Sequence, residues 1–314
     1  MPAGRQRAFA TRLGCPPIDF RAVPRVHHIA LSLFLTLWAG GPVEAKDAST
    51  SNEATTPPTP APTTPPTSPA TSPAGEAAID ATKFPKAVDL LTAFIRTVGG
   101  EPAIRSITSM EVQGRIHLPG GRVPGTFLWL VADGGRACFE TTFPALGTSA
   151  FGSDGTTGWT LLELPGTRTV DPLPLDDVDR LRRRANWFEL AFTLPDRATE
   201  VHTVGPTSFG GVPAWEVSVE RTDGRIERLF LNQASNRLLG FSTPMDTEPG
   251  APVITVRFGE WRPVGDLTLF HRIEIAGGRS RVGLEVTSIR FETVALDDPR
   301  FSAPPVPTDE GDDG

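Results

Sequence analysis

Beyond residue 45, the side chains whose types could do chemistry are few and scattered. They are three histidines, His117, His202 and His271, and one cysteine, Cys138. Each histidine falls in a different alternating segment, and none has a cysteine or second histidine at metal-ligand spacing, so no metal is expected. His271 shares parity with the apolar Leu269 and Ile273, which suits a hydrogen-bonded core histidine better than a ligand. Cys138 lies beside Phe139 in an apolar segment, where a buried and inert thiol is expected. As the one cysteine of that region it also leaves no internal disulfide. No Gly-x-Ser-x-Gly elbow, zinc-protease His-Glu pair or glycine-rich phosphate loop occurs. Carboxylates are abundant but no spacing singles out a pair, so a hydrolase built from unmarked carboxylates, or from His271 and a distant partner, is the lesser alternative. Asp309-Glu310-Gly311-Asp312-Asp313 reads as a solvated acidic tail rather than a calcium loop. Neither catalytic residues nor cofactors are expected, and the chain is not read as an enzyme.

The elements that would position a site point to a container. From Ser106 to Phe291 the chain reads as a series of short strands. They are punctuated by Pro119-Gly120-Gly121, Asp133-Gly134-Gly135, Asp154-Gly155, Gly210-Gly211-Val212-Pro213, Asp223-Gly224 and Gly277-Gly278. These are turn residues at hairpin spacing. An antiparallel sheet of that size must curl. Several strands show period-two apolar patterns: Val112, Ile116 and Leu118; Trp215, Val217 and Val219; Ile254, Val256 and Phe258; Leu267, Leu269, Ile273 and Ile275. The parity switches between Val286 and Ile289, which predicts a bulge near Thr287-Ser288. Phe127-Leu128-Trp129-Leu130-Val131 is apolar on both faces, so a helix or ligand is expected on one side and further structure on the other.

Two helices accompany the strands. Phe84, Ala87, Val88, Leu91, Phe94, Ile95 and Val98 recur at helical spacing before Gly99-Gly100. The strand series is interrupted once, from Leu175 to Phe192, by an amphipathic helix with Leu175, Val178, Leu181, Ala185 and Phe188 on one face. Asp176 and Asp177 in its first turn and the arginines at 180 and 182–184 complement the helix dipole. It reads either as an ordinary core-covering helix or as a lid with an apolar underside.

The ends divide the chain into segments. Residues 1–45 carry a basic region, an apolar run from Ile29 to Trp38 and the small-residue sequence Val43-Glu44-Ala45. This is the pattern of an export signal cleaved before Lys46, with an uncleaved anchor as the alternative. Residues 46–78 are rich in Pro, Thr, Ser and Ala and cannot bury enough apolar surface to order, so they read as a disordered linker, a spacer or a tether. Residues 79–304 form one β domain, and 305–314 the acidic tail. The full chain has a net charge of −7; without residues 1–45 it keeps 25 basic and 35 acidic residues, a net of −10. That balance, without a basic patch, excludes nucleic acid as an expected partner. Export to the periplasm or the exterior, as a monomer, is the expectation.

Several phrases carry a resemblance. Val98-Gly99-Gly100-Glu101-Pro102-Ala103-Ile104-Arg105-Ser106-Ile107 is similar to a helix, glycine pair and short second turn before a first strand. Ser153-Asp154-Gly155-Thr156-Thr157-Gly158-Trp159 is similar to an Asp-Gly-x-x-x-Trp hairpin. Gly210 to Val217, Arg228 to Leu239 and Leu296-Asp297-Asp298-Pro299-Arg300-Phe301-Ser302-Ala303-Pro304 continue it in order. Together they resemble the outer-membrane lipoprotein-sorting proteins of the LolA-like superfamily, over roughly Ile79 to Pro304. The resemblance implies an α+β, mostly β fold: a curved antiparallel half-barrel of about 11 strands wrapped around the N-terminal helix and the lid-like helix. It implies an apolar interior that holds acyl chains, with lipids or lipoproteins as partners and an envelope protein as a further candidate. It supplies no catalytic residues. The apolar positions expected to face such an interior are Phe127, Trp129 and Val131, then Val178, Leu181 and Trp187 of the inserted helix, and Trp215, Val256, Phe258, Leu269 and Ile273. The competing expectation is a structural or interaction module with a solid core, displayed on the linker.

Overall fold

The computed structural model describes residues 83–305 except 120, 122–123, 145, 186–197, 223, 245–251 and 279. Within them, thirteen strands form one antiparallel sheet: β1 (Ser109–His117), β2 (Gly125–Ala132), β3 (Arg136–Phe143), β4 (Gly147–Ser153), β5 (Gly158–Leu164), β6 (Thr167–Pro172), β7 (Ala198–Phe209), β8 (Val212–Arg221), β9 (Ile226–Asn232), β10 (Leu238–Pro244), β11 (Val253–Val264), β12 (Leu267–Gly277) and β13 (Ser280–Phe291). Three α-helices accompany them: α1 (Ala87–Thr97), α2 (Glu101–Arg105) and α3 (Leu175–Ala185).

Turn chemistry builds the hairpins. The β7–β8 loop is Gly210-Gly211 alone, with φ of 61° and 83°. Two successive left-handed residues give the loop a twist that matches its strands, and glycine adopts that backbone without a Cβ penalty. At the β4–β5 corner the Asp154 carboxylate accepts hydrogen bonds from the Thr156 and Thr157 amides, both at 2.7 Å. At the β9–β10 corner Asn232 Oδ1 accepts from the Ala234 and Ser235 amides at 2.9 and 2.8 Å. Both corners are short polar side chains substituting for backbone partners.

The strand order is β6-β5-β4-β3-β2-β1-β13-β12-β11-β10-β9-β8-β7. Two meanders, β1–β6 and β7–β13, are thus joined by the single β1–β13 pairing, and β6 and β7 are the two free edges of an open, curved half-barrel. The β1–β13 register shifts between Gln113 and Gly114, leaving Thr287 as the extra residue of a bulge. Its hydroxyl donates to the Gln113 carbonyl at 3.2 Å. The count of thirteen corrects the expected 11 or so. β6, for example, is an exposed edge strand with no buried residue, so its sequence carries no alternation to read.

The inner face holds the main core. α1 buries Ala87, Leu90, Leu91 and Phe94 against it, and Val98 at its C-cap is buried too, while Val88 stays exposed. The helix is tied to the β7–β12 side of the sheet: Thr203 Oγ1 donates to the Pro85 carbonyl at 2.6 Å, and the Thr268 amide to the Val98 carbonyl at 3.0 Å. α3 packs on β3, β4 and β5 at the other side. Its Val178 and Leu181 are buried, whereas Leu175, expected on the same face, is exposed. The expected continuation of this helix to Phe192 lies outside the described residues. On the outer face Leu130, Ala132, Cys138, Ala150, Trp159 and Leu161 form a second cluster under Val294 and Phe301. The Trp159 indole donates to the Phe301 carbonyl at 2.9 Å. The doubly apolar strand β2 therefore has core on one side and the C-terminal segment on the other.

Candidate functional site

The strands in the middle of the sheet order, β2, β1, β13 and β12, lie between those under α1 and those under α3. On their inner face is a crevice lined by Met110, Val112, Phe127, Trp129, Leu269, Phe270, Ile273, Val286 and Ile289. All nine side chains are apolar. β1 delivers Met110 and Val112, and β2 Phe127 and Trp129, by period two, whereas Leu269–Phe270 on β12 and Val286–Ile289 across the β13 bulge depart from it. The Phe127 ring lies over Gly114, where a Cβ would come within 2.5 Å of it. From the crevice a row of stacked rings, Phe127–Phe139 at 5.9 Å and Phe139–Phe151 at 5.6 Å, crosses to the strands beneath α3. On the other flank Phe270 stacks on Phe258 at 4.4 Å.

The crevice is narrow. Its volume is about 10 Å³, room for about one water, whereas small-molecule pockets span roughly 300–1,000 Å³. An extended apolar ligand could enter only if the covering elements move. A larger open groove of about 640 Å³ runs between Pro85, Lys86, Ala87, Val88 and Leu91 at the start of α1 and Ala198–Thr203 of the edge strand β7. Its lining is mixed, with Lys86, Glu200 and His202 among the apolar residues, and it includes none of the expected ligand-facing positions.

Four of those positions, Phe127, Trp129, Leu269 and Ile273, line the crevice itself. Val131, Leu181 and Val256 are buried in the same core, and Trp215 and Phe258 pack half-buried against it. Val178 is buried away from the crevice, against Gly158, where a Cβ would meet its Cγ2 at 2.7 Å. Trp187 lies outside the described residues. Met110, Val112, Phe270, Val286 and Ile289 complete the lining without having been expected there. Phe270 directly follows Leu269, so counting every second residue from Leu269 passes over it.

The titratable groups stay apart. His117 faces Glu285 at 3.3 Å, His202 faces Glu200 at 3.0 Å, and His271 Nδ1 lies 3.2 Å from the Leu269 carbonyl. Among the described residues no group of three His, Cys, Asp or Glu side chains could hold a metal ion. None of their helices is long and apolar enough to cross a membrane. Cys138 is buried in the outer cluster; burial pushes its thiol up to about 12, with the Glu140 carboxylate adding to the effect. The reactive thiolate is thus scarce at neutral pH. At pH 8 the peptide containing Cys138 should stay unlabelled by a maleimide in the native protein and label fully in denaturant. Rapid native labelling would contradict this burial.

No family model matches the chain, and no curated protein does. Solved structures do. A putative outer membrane lipoprotein-sorting protein domain from Vibrio parahaemolyticus is 14% identical with a TM-score of 0.45, over 70% of this chain and 97% of that one. A LolA superfamily protein from Nitrosomonas europaea is also 14% identical with a TM-score of 0.45, over 68% of this chain and 97% of its own. The lipoprotein LppX from Mycobacterium tuberculosis is 14% identical at a TM-score of 0.27, over 67% and 98%. The solved structures to which this chain is similar thus include LolA superfamily and lipoprotein-sorting proteins, at low identity.

Proposed function

We propose that the half-barrel is an exported, non-catalytic binding protein that takes up the acyl chain of a lipid or lipoprotein along its inner face, for sorting towards the outer membrane. The observation that carries this reading is the crevice in the middle of the sheet. It is lined by apolar side chains alone, continues into a row of stacked aromatics, and is flanked by a short helix in the connection between the two meanders. The ligand-facing residues are Phe127, Trp129, Leu269 and Ile273, with Val131 and Leu181 reached as α3 moves. Burying a dozen methylenes at about 0.8 kcal/mol each would contribute about 10 kcal/mol before ordering costs, enough for micromolar affinity. Export through residues 1–45 and display on the 46–78 linker belong to the same reading.

Native mass spectrometry after gentle purification should find a co-purifying lipid, and fatty acids should displace an apolar fluorophore from the protein. Absence of both overturns the proposal. A second reading, a stalk-displayed interaction module with a solid core, is favoured by the small crevice volume. It expects neither lipid nor probe to bind.

A further inference from the structure

One polar group on the inner face, the buried Trp261 Nε1, has no hydrogen-bond partner among the described residues. A buried tryptophan usually satisfies its indole N–H, as Trp159 does on the outer face through the Phe301 carbonyl. An unsatisfied buried donor costs stability and calls for an explanation.

The backbone delivers this group to the inner face by a specific departure from regular strand. Ile254, Val256 and Phe258 pack on the core at alternate positions, so plain alternation would aim Glu260 inward and Trp261 outward. Instead Glu260 takes φ of 52°, a left-handed conformation uncommon for a residue other than glycine. Glu260 stays exposed, paired with Arg262, and Trp261 packs on the core. Its ring meets Phe94 of α1 edge-on at 6.2 Å and Phe270 edge-on at 5.7 Å. Phe270 is itself a wall of the apolar crevice. The orphan donor therefore stands one ring away from the space proposed to receive the chain.

We infer that Trp261 is the polar anchor of that site: its indole N–H donates to the carbonyl or carboxylate oxygen of an acyl ligand whose hydrocarbon lies in the crevice. This rests on the proposed binding function and narrows it, because it makes the ligand a chain carrying an acceptor oxygen rather than a plain hydrocarbon. The bland competitor is an N–H directed at the face of Phe94 or Phe270, a weaker interaction that the edge-on geometry permits.

The test compares the full-length protein with Trp261→Phe, which keeps a ring and removes the donor. Displacement of an apolar fluorophore is measured with tetradecanoic acid, its methyl ester and tetradecane. The variant should lose about three- to tenfold in affinity for the ester and about tenfold or more for the acid, with tetradecane unchanged. Equal losses for all three, or no loss for acid and ester, would overturn the anchor and leave the container standing. So would wild-type protein that binds tetradecane as tightly as the oxygen-bearing probes. If none of the three binds wild-type protein, the proposed function fails and takes the anchor with it. Should the variant fail to fold, wild-type protein labelled with ¹⁵N-tryptophan answers instead. The indole resonance assigned by its contacts with the Phe94 and Phe270 rings should shift with acid and ester but not with tetradecane, and an unmoved resonance refutes the inference.

Discussion

Replacing Gly114 with alanine should destabilise the protein by about 3 kcal/mol, the upper end of what overpacking costs. A Cβ there would lie 2.1 Å from the Glu285 carbonyl oxygen and 2.5 Å from the Phe127 ring. Backbone on one side and a core aromatic on the other leave no flexible atom to give way. Gly114 does not have a left-handed backbone, so the penalty is steric rather than conformational. The site lies beside the register shift in the β1–β13 ladder, which is the one seam joining the two meanders. Gly283→Ala on β13 is the matched control. Its Cβ would find only His117 Cβ at 3.8 Å, and it should fall within about 0.5 kcal/mol of wild type. Urea midpoints measured at unchanged slope decide the matter; equal stability of the two variants would refute the close packing at Gly114.

Leu181→Asp should release α3 from the sheet. Leu181 is fully buried in the inner core. Deleting a buried leucine side chain costs about 2–5 kcal/mol, and a carboxylate left there without a partner adds to that. Among the described residues of α3, Val178 and Leu181 are the side chains buried. Losing about 3 kcal/mol should therefore raise amide exchange across 178–185 by at least about a hundredfold, while the amides of β11–β13 stay protected. Such a split would identify α3 as a separately opening unit, as a lid requires. If the whole sheet instead loses protection together, α3 is an integral part of the core, and the way for a ligand into the crevice is not beneath this helix.

The fold was legible where one local rule decided the outcome. Gly210-Gly211 could hardly be anything but a tight hairpin, and the parity break between Val286 and Ile289 marked the Thr287 bulge. The doubly apolar Phe127–Val131 correctly announced cover on both faces. Legibility failed where neighbours overrode local pattern. β6 is a strand because it pairs with β5, although Thr167–Pro172 has no apolar face to bury. Val88 and Leu175 sit at helical spacing with buried residues yet stay exposed, because each helix contacts the sheet through a narrower stripe than periodicity suggests. Trp261 was hidden for a different reason: its inward turn depends on the φ of Glu260, and alternation counted from Ile254 points it outward. The crevice was half legible, since Phe127, Trp129, Leu269 and Ile273 follow from alternation. Which strands meet at the centre of the sheet does not, because that depends on the long-range pairing of β1 with β13.

That pairing also sets a timetable. β1 pairs with β2 as soon as that strand is made, but on its other side Met110 meets Phe291, so there the first strand waits for the last. At translation rates of 5–20 residues per second the interval is on the order of ten seconds or more. Throughout it, one side of β1 has no partner, and the long loop to be closed adds an entropic barrier. Over that interval the unpaired side of β1 is an open template for aggregation.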